Sequence, residues 1–237
     1  IFPFDFNEAK PYVSFEDYLT YGGFPEVVLE KDNDRKKQLL MQYFNDILLR
    51  DIFERYSIVA TQQFKALAQF IISNTGIKIS ANKLAKELNI NQRSAESYLS
   101  YLIDAYLIFE VAYFSYSAKT KYIAGRASKY YTLDNGLAYA LSERKNRGRM
   151  CETLVAQKLR RNKEDLYYWS DKNEVDFVSE NKGYNVVTSK NIPEREIKGL
   201  ENIKKAKKHI KKIILLNEVK EEKNLIEFKK IENFLSE

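Results

Sequence analysis

Sulfur and imidazole are nearly absent from this 237-residue chain, which has one cysteine, Cys151, and one histidine, His209. A lone cysteine excludes an internal disulfide, and the two residues together cannot supply the thiolate and imidazole ligands of a structural zinc site. The same scarcity predicts a reducing, cytoplasmic setting. No apolar run approaches the roughly 18 residues needed to cross a bilayer, so no membrane partner is expected. The start, IFPFDF, has neither the basic stretch nor the cleavage site of a signal peptide. It begins at Ile1 and not at Met, which predicts a portion of a longer protein. Also missing is any G-x-x-x-x-G-K-[ST] loop or Walker B strand, so the chain alone is not expected to grip or hydrolyse ATP.

Charge is present in quantity and unevenly placed. Residues 1–60 hold 7 basic and 11 acidic side chains, residues 61–150 hold 13 and 6, and residues 151–237 hold 19 and 16. The positive excess is therefore central, as in a protein whose middle module meets a polyanion.

The pattern along the chain predicts an α+β multidomain protein with boundaries at 1–60, 61–147 and 148–237. In the first part, Ser14 and Asp17 form a capping pair for a helix stopped by Gly22-Gly23, and Pro25 starts another. Beyond Asp32, Leu39, Leu40, Tyr43, Phe44, Ile47, Leu48 and Ile52 recur at helical spacing, which predicts one long amphipathic helix to about Tyr56.

In the second part, a helix over 62–74 turns Phe64, Leu67, Ala68 and Ile71 inward. Ser80 and Asn91 then cap two helices joined by a tight turn, followed by a strand from Leu107 to Tyr116 and another near Tyr130 to Leu133. That order spells a winged helix-turn-helix with an extended wing. The candidates for DNA contact are Gln92 and Arg93 at the start of the second helix, with Lys119, Lys121, Arg126 and Lys129 in the hairpin. Interleaved Tyr113, Tyr116 and Tyr122 would pack on sugars or bases. The second helix carries a single basic residue, which argues against strong sequence-specific reading. Docking of another protein, through Tyr113, Phe114 and Tyr116, is the alternative use of such a module.

The last part reads as helix 149–162, strands 166–170, 174–180 and 184–189, helix 194–209, two further strands and a short helix. Ile197, Leu200, Ile203 and Ala206 are expected inward on the second helix. This order resembles the core of PD-(D/E)XK nucleases, in which a helix acid, a strand Asp and an acid-x-lysine on the next strand converge on Mg²⁺ or Mn²⁺, and the resemblance makes Glu152, Glu174 and Asp176 candidate metal ligands. Asn185 stands where a further acid would complete the set. Val187 stands where a lysine would stabilise developing charge, and Lys190, of opposite parity, could replace it only by reaching in from the strand end. The competing reading pairs Glu174 and Asp176 with Arg149, Lys172 or Arg195 in salt bridges.

These segments together resemble one family. IFPFDFNEA, YLTYGGFPEVVLE, YFNDILLRDIFERY, the helix-turn-helix block, KYYTLDNGLAYAL, GRMCETLVAQKL, NEVDFV and PEREIKGL occur in the order of the archaeal-type AAA+/STAND ATPases that carry a helical lid, a winged helix and a carboxy-terminal domain similar to PD-(D/E)XK nucleases. The resemblance covers nearly the whole chain. It implies that Gly22, Gly23 and Pro25 belong to a nucleotide lid, that ATP and Mg²⁺ bind a P-loop domain outside this sequence, and that this ATPase domain is a partner along with DNA. It also implies an αβββαβ nuclease-like unit, with Glu152, Asp176 and Lys190 as candidate catalytic groups. Departures at Asn185 and Val187 predict holding without cutting.

Overall fold

The computed structural model describes residues 3–114, 127–142, 145–162, 165–217 and 226–237. Secondary structure is mixed α/β, and the chain forms two compact units. The first comprises Ile1–Glu110 with Gly125–Lys145, and the second Val111–Ala124 with Asn146–Glu237.

Unit one begins with α1 (Phe6–Ala9), α2 (Phe15–Tyr21) and α3 (Pro25–Leu29). Asp5 and Glu8 exchange a full capping box at α1, and Ser14 Oγ accepts the Asp17 N–H at α2. Gly22 ends α2 at φ +76°, a left-handed value that a residue with a Cβ rarely adopts. Asp32 caps α4 (Asn33–Asp46), which does not run on as one α-helix. It passes into a π-helical turn, Ile47–Phe53, and then α5 (Glu54–Tyr56), ending at Ser57 with φ 50°.

The core explains that departure from the expected single helix. Leu40, Phe44, Leu48 and Ile52 are all buried and recur every four residues. A 3.6-residue turn would carry that stripe progressively round the helix, and the wider π-turn brings Ile52 back onto it. α6 (Thr61–Ser73) buries Phe64, Leu67, Ala68 and Ile71, as its spacing predicts.

Next come β1 (Ile77–Ile79), α7 (Ala81–Glu87) and α8 (Gln92–Asp104). Ser80 and Asn91 cap the two helices by accepting the N–H groups of Lys83 and Ser94, and the turn between them uses Asn89 at φ 51°. β2 (Ile108–Tyr113) and β3 (Ser128–Thr132) follow, with β3 lying between β1 and β2. α9 (Asn135–Ser142) closes the unit. One cluster joins Leu40, Phe44 and Ile52 to Leu67, Leu84, Leu99 and Leu102, so residues 1–60 share their core with the helices that follow.

Unit two contains α10 (Arg147–Arg161), β4 (Tyr167–Ser170), β5 (Glu174–Ser179), β6 (Lys182–Val187), α11 (Glu194–Ala206), β7 (Lys212–Asn217), β8 (Glu227–Lys230) and α12 (Ile231–Ser236). β4, β5 and β6 form an antiparallel meander, β6, β7 and β8 run parallel, and the end of β2 pairs in parallel with β4. Leu200 and Ile203 pack α11 on a core with Val175, Val178 and Val187. Ala206, expected inward, is exposed because it is the last residue of the helix. Gly199 lets α11 approach β5: a Cβ there would lie 2.6 Å from the Glu174 carbonyl oxygen.

Candidate functional site

The strands of unit two do not pair evenly. Tyr167 pairs with Val178 and Trp169 with Val175, so β5 carries one extra residue and bulges at Asp176-Phe177. Such bulges re-aim side chains and often end a ladder beside a site. On the other edge, backbone pairing with β6 runs from Ser179↔Lys182 to Phe177↔Tyr184. Beyond it, side chains take over. The Asp176 N–H donates to Asn185 Oδ1 at 3.0 Å, and the Val186 N–H donates to Asp176 Oδ2 at 3.0 Å.

Asn185 is fully buried, and its Nδ2 donates to Glu196 Oε2 at 2.9 Å and to the Glu196 carbonyl at 3.1 Å. The second carboxylate oxygen of Glu196 accepts from Arg195 Nε at 3.0 Å. An aspartate at 185 would have no hydrogen to give and would face the Glu196 carboxylate, so the amide fits where an acid does not. The reciprocal pair thus closes the diverging end of β5 and β6, and α11 holds it.

An open cleft of about 510 Å³ lies over this pair. Glu152 of α10, Glu174 and Asp176 of β5 and Glu196 of α11 line it together with Arg149, Lys172 and Arg195. The sequence-predicted acids Glu152, Glu174 and Asp176 therefore share one cleft. Asn185 sits beneath it with its amide engaged, and Lys190 lies exposed beyond the end of β6, outside the lining. Lys172, in the turn between β4 and β5, is the lysine that reaches the cleft. Among the described residues, no three of His, Cys, Asp and Glu converge closely enough to hold a metal ion.

The other expected groups fall in several places. Gln92 and Arg93 are exposed at the start of α8, and Gln92 Nε2 donates to Glu96 Oε1 at 2.8 Å. Lys129 is 3% exposed within β3, opposite Lys78, and so is not presented to a phosphate. Lys119, Lys121, Arg126, Tyr116 and Tyr122 lie outside the described residues. Tyr113 and Phe114 pack against the core of unit two instead of standing free, with Phe114 stacked 5.4 Å from His209.

Gly22 and Gly23 border a buried polar junction. Asp134, 2% exposed, accepts the Gly23 N–H through Oδ2 at 2.7 Å and the Gly136 N–H through Oδ1 at 2.8 Å. A Cβ on Gly22 would stand 2.0 Å from Asp134 Oδ1. Pro25 occupies the first turn of α3, where its missing N–H costs nothing.

Sequence reasoning missed Glu196 and Asp134. Glu196 sits in the run EREIKG, which reads as a solvated helix start, and Asp134 in TLDNG, which reads as a turn. The available signal was the pair of glycine corners, Gly22-Gly23 and Asn135-Gly136, each of which demands close backbone approach.

Residues 12–148 match the family described as Domain of unknown function (DUF8612), more than half of the chain. The chain belongs to the DUF8612 family. Residues 147–234 match a second one, Domain of unknown function (DUF4143), so the two matches meet beside the boundary between the compact units. An uncharacterized protein of Methanocaldococcus jannaschii is 38% identical, the match covering 83% of this chain and 49% of that protein. An uncharacterized protein of Haemophilus influenzae is 30% identical over 70% of this chain and 42% of its own length. The chain thus spans less than half the length of these curated relatives. No solved structure matches it.

Proposed function

We propose that this chain is the nucleic-acid-holding part of a larger ATPase, and that its second unit keeps a nuclease-like scaffold without the cutting chemistry. The observation that carries the proposal is the Asp176–Asn185 pair. A metal-dependent phosphodiesterase of this plan sets a charged acid at both positions, and here Asn185 puts a neutral amide at one of them, its Oδ1 accepting the Asp176 N–H and its Nδ2 donating to Glu196, while Asp176 Oδ2 accepts the Val186 N–H. Arg149 and Lys172 line the cleft with Arg195, which is paired to Glu196, and these cations would meet phosphate oxygens beside the four carboxylates of the lining.

The order α10-β4-β5-β6-α11-β7 agrees with the αβββαβ plan of PD-(D/E)XK nucleases. The order α6-β1-α7-α8-β2-β3, with β3 between β1 and β2, agrees with a winged helix whose α8 would present Gln92 and Arg93. DUF4143 is found in AAA-ATPase-associated proteins, which supports an ATPase as the physical partner and ATP with Mg²⁺ as its cofactors.

The test is fluorescence anisotropy with a labelled DNA duplex across a salt series. Affinity is expected to fall steeply with salt, and Lys119→Glu or Lys121→Glu should each reduce the salt slope by about one. Binding that is absent, or independent of salt, would overturn the reading.

One observation favours a second reading, a Mg²⁺- or Mn²⁺-dependent endonuclease: Glu152, Glu174, Asp176 and Lys172 line one cleft. Nicking of supercoiled plasmid in Mn²⁺ that disappears in Asp176→Ala would establish it, and equal background in both proteins would dismiss it.

A further inference from the structure

A second cleft, of about 360 Å³, opens in unit one between the start of α2 and the end of α3. Its floor is Lys36 of α4. This lysine is 5% exposed yet lines the cleft, with its ammonium 4.8 Å from the centre of the Tyr21 ring. Among the described residues, that ring is the partner of the Lys36 ammonium. Burying a cation costs several kcal/mol unless an anion joins it, and a cation–π contact offsets only part of that.

Two acids share the lining, and both are turned to local work. Asp17 Oδ2 accepts the Ser14 hydroxyl at 3.0 Å, and Glu30 Oε1 accepts the backbone N–H groups of Lys31 and Asp32 at 2.6 and 2.9 Å. Neither forms an ion pair with Lys36, and together they make the lining unfavourable for a ligand that carries several negative charges. The remaining walls are apolar apart from the exposed Lys31. Tyr12 and Leu29, each 62% exposed, stand at the rim with Val13 and Val28 beside them.

We infer that this cleft binds a monocarboxylate carried on an apolar body, with the carboxylate on Lys36 and the apolar part against Tyr12, Val28 and Leu29. The volume lies at the small end of ligand pockets, which suits a medium-chain or aromatic acid. A nucleotide or a polyphosphate is disfavoured, because its several charges would face Asp17 and Glu30 with only the buried Lys36 and the exposed Lys31 to meet them.

The experiment is isothermal titration of the whole chain with sodium octanoate, phenylacetate, octanol and inorganic phosphate. Octanoate or phenylacetate should bind, phosphate should not, and Lys36→Met should weaken the acid about tenfold or more while leaving octanol unchanged. Thermal unfolding reports whether Lys36→Met is folded. If it is not, Leu29→Glu at the exposed rim replaces it and should weaken octanoate to a similar degree. Octanol binding as tightly as octanoate to the wild type, phosphate binding better than either acid, or octanoate affinity unmoved by both substitutions would each overturn the assignment.

Discussion

The two units use the same device in opposite settings. In unit one, Asp134 accepts backbone N–H groups from Gly23 and Gly136 and is sealed inside the core. In unit two, Asp176 accepts one from Val186 while Asn185 accepts one in return, at the floor of an open cleft lined by charges of both signs. A carboxylate tied to backbone in a closed core can only hold the fold together. The same tie beneath a cleft fixes how the carboxylate is presented there, and the neutral Asn185 partner adds no charge to it. Burial therefore separates a purely structural acid from one that sets what its surroundings can bind.

Asp134→Ala should give the largest effect. It strands two buried N–H groups, each worth about 1–3 kcal/mol when orphaned, so a loss of about 2–6 kcal/mol is expected in urea unfolding. An unchanged midpoint would break the comparison at its closed end. Asn185→Asp comes next. It removes the donor to Glu196 and sets two carboxylates face to face, for an expected loss of about 2–3 kcal/mol in the same assay. A stable Asn185→Asp protein that gained Mn²⁺ affinity would mean that the network is easily remade into a metal site.

Arg195→Glu is expected to leave stability within about 0.5 kcal/mol, since the Arg195 side chain is 77% exposed, and to weaken duplex binding. Unaltered binding in both Arg195→Glu and Arg149→Glu would remove the cleft from the DNA-facing surface.

The smallest effect concerns His209, whose pKa burial holds below the usual imidazole value. The folded chain prefers the neutral ring. Its contribution is therefore present above the unfolded pKa of about 6.5 and declines as pH falls through that value and below it. The urea midpoint should drift down between about pH 7 and pH 5, and His209→Gln should flatten that drift.

Features that depend on neighbours in the chain were legible in the sequence. The caps at Ser14, Ser80 and Asn91 are satisfied within three residues, and the buried stripe of α6 follows from its own spacing. The α and β order of unit two could be read for the same reason, as could the placing of Glu152, Glu174 and Asp176 on neighbouring elements. Features that depend on distant partners could not. The Asp134 acceptor serves an N–H 111 residues away, and nothing local marks it. Lys129 reads as a surface charge in an alternating basic stretch, but all five residues of β3 are buried because the strand is flanked on both edges. At Asn185 the missing acid was visible in the sequence. Its reason was not, since Glu196 enters from the following helix.

One measurement bears most directly on the claim that unit two holds a polyanion without severing it. A labelled duplex is titrated with the chain in EDTA, Mn²⁺ is then added in excess, and the strands are sized on a denaturing gel. The account predicts salt-sensitive binding in EDTA and full-length strands after Mn²⁺. Binding that requires the metal, or strand cleavage that is lost in Asp176→Ala, would contradict it.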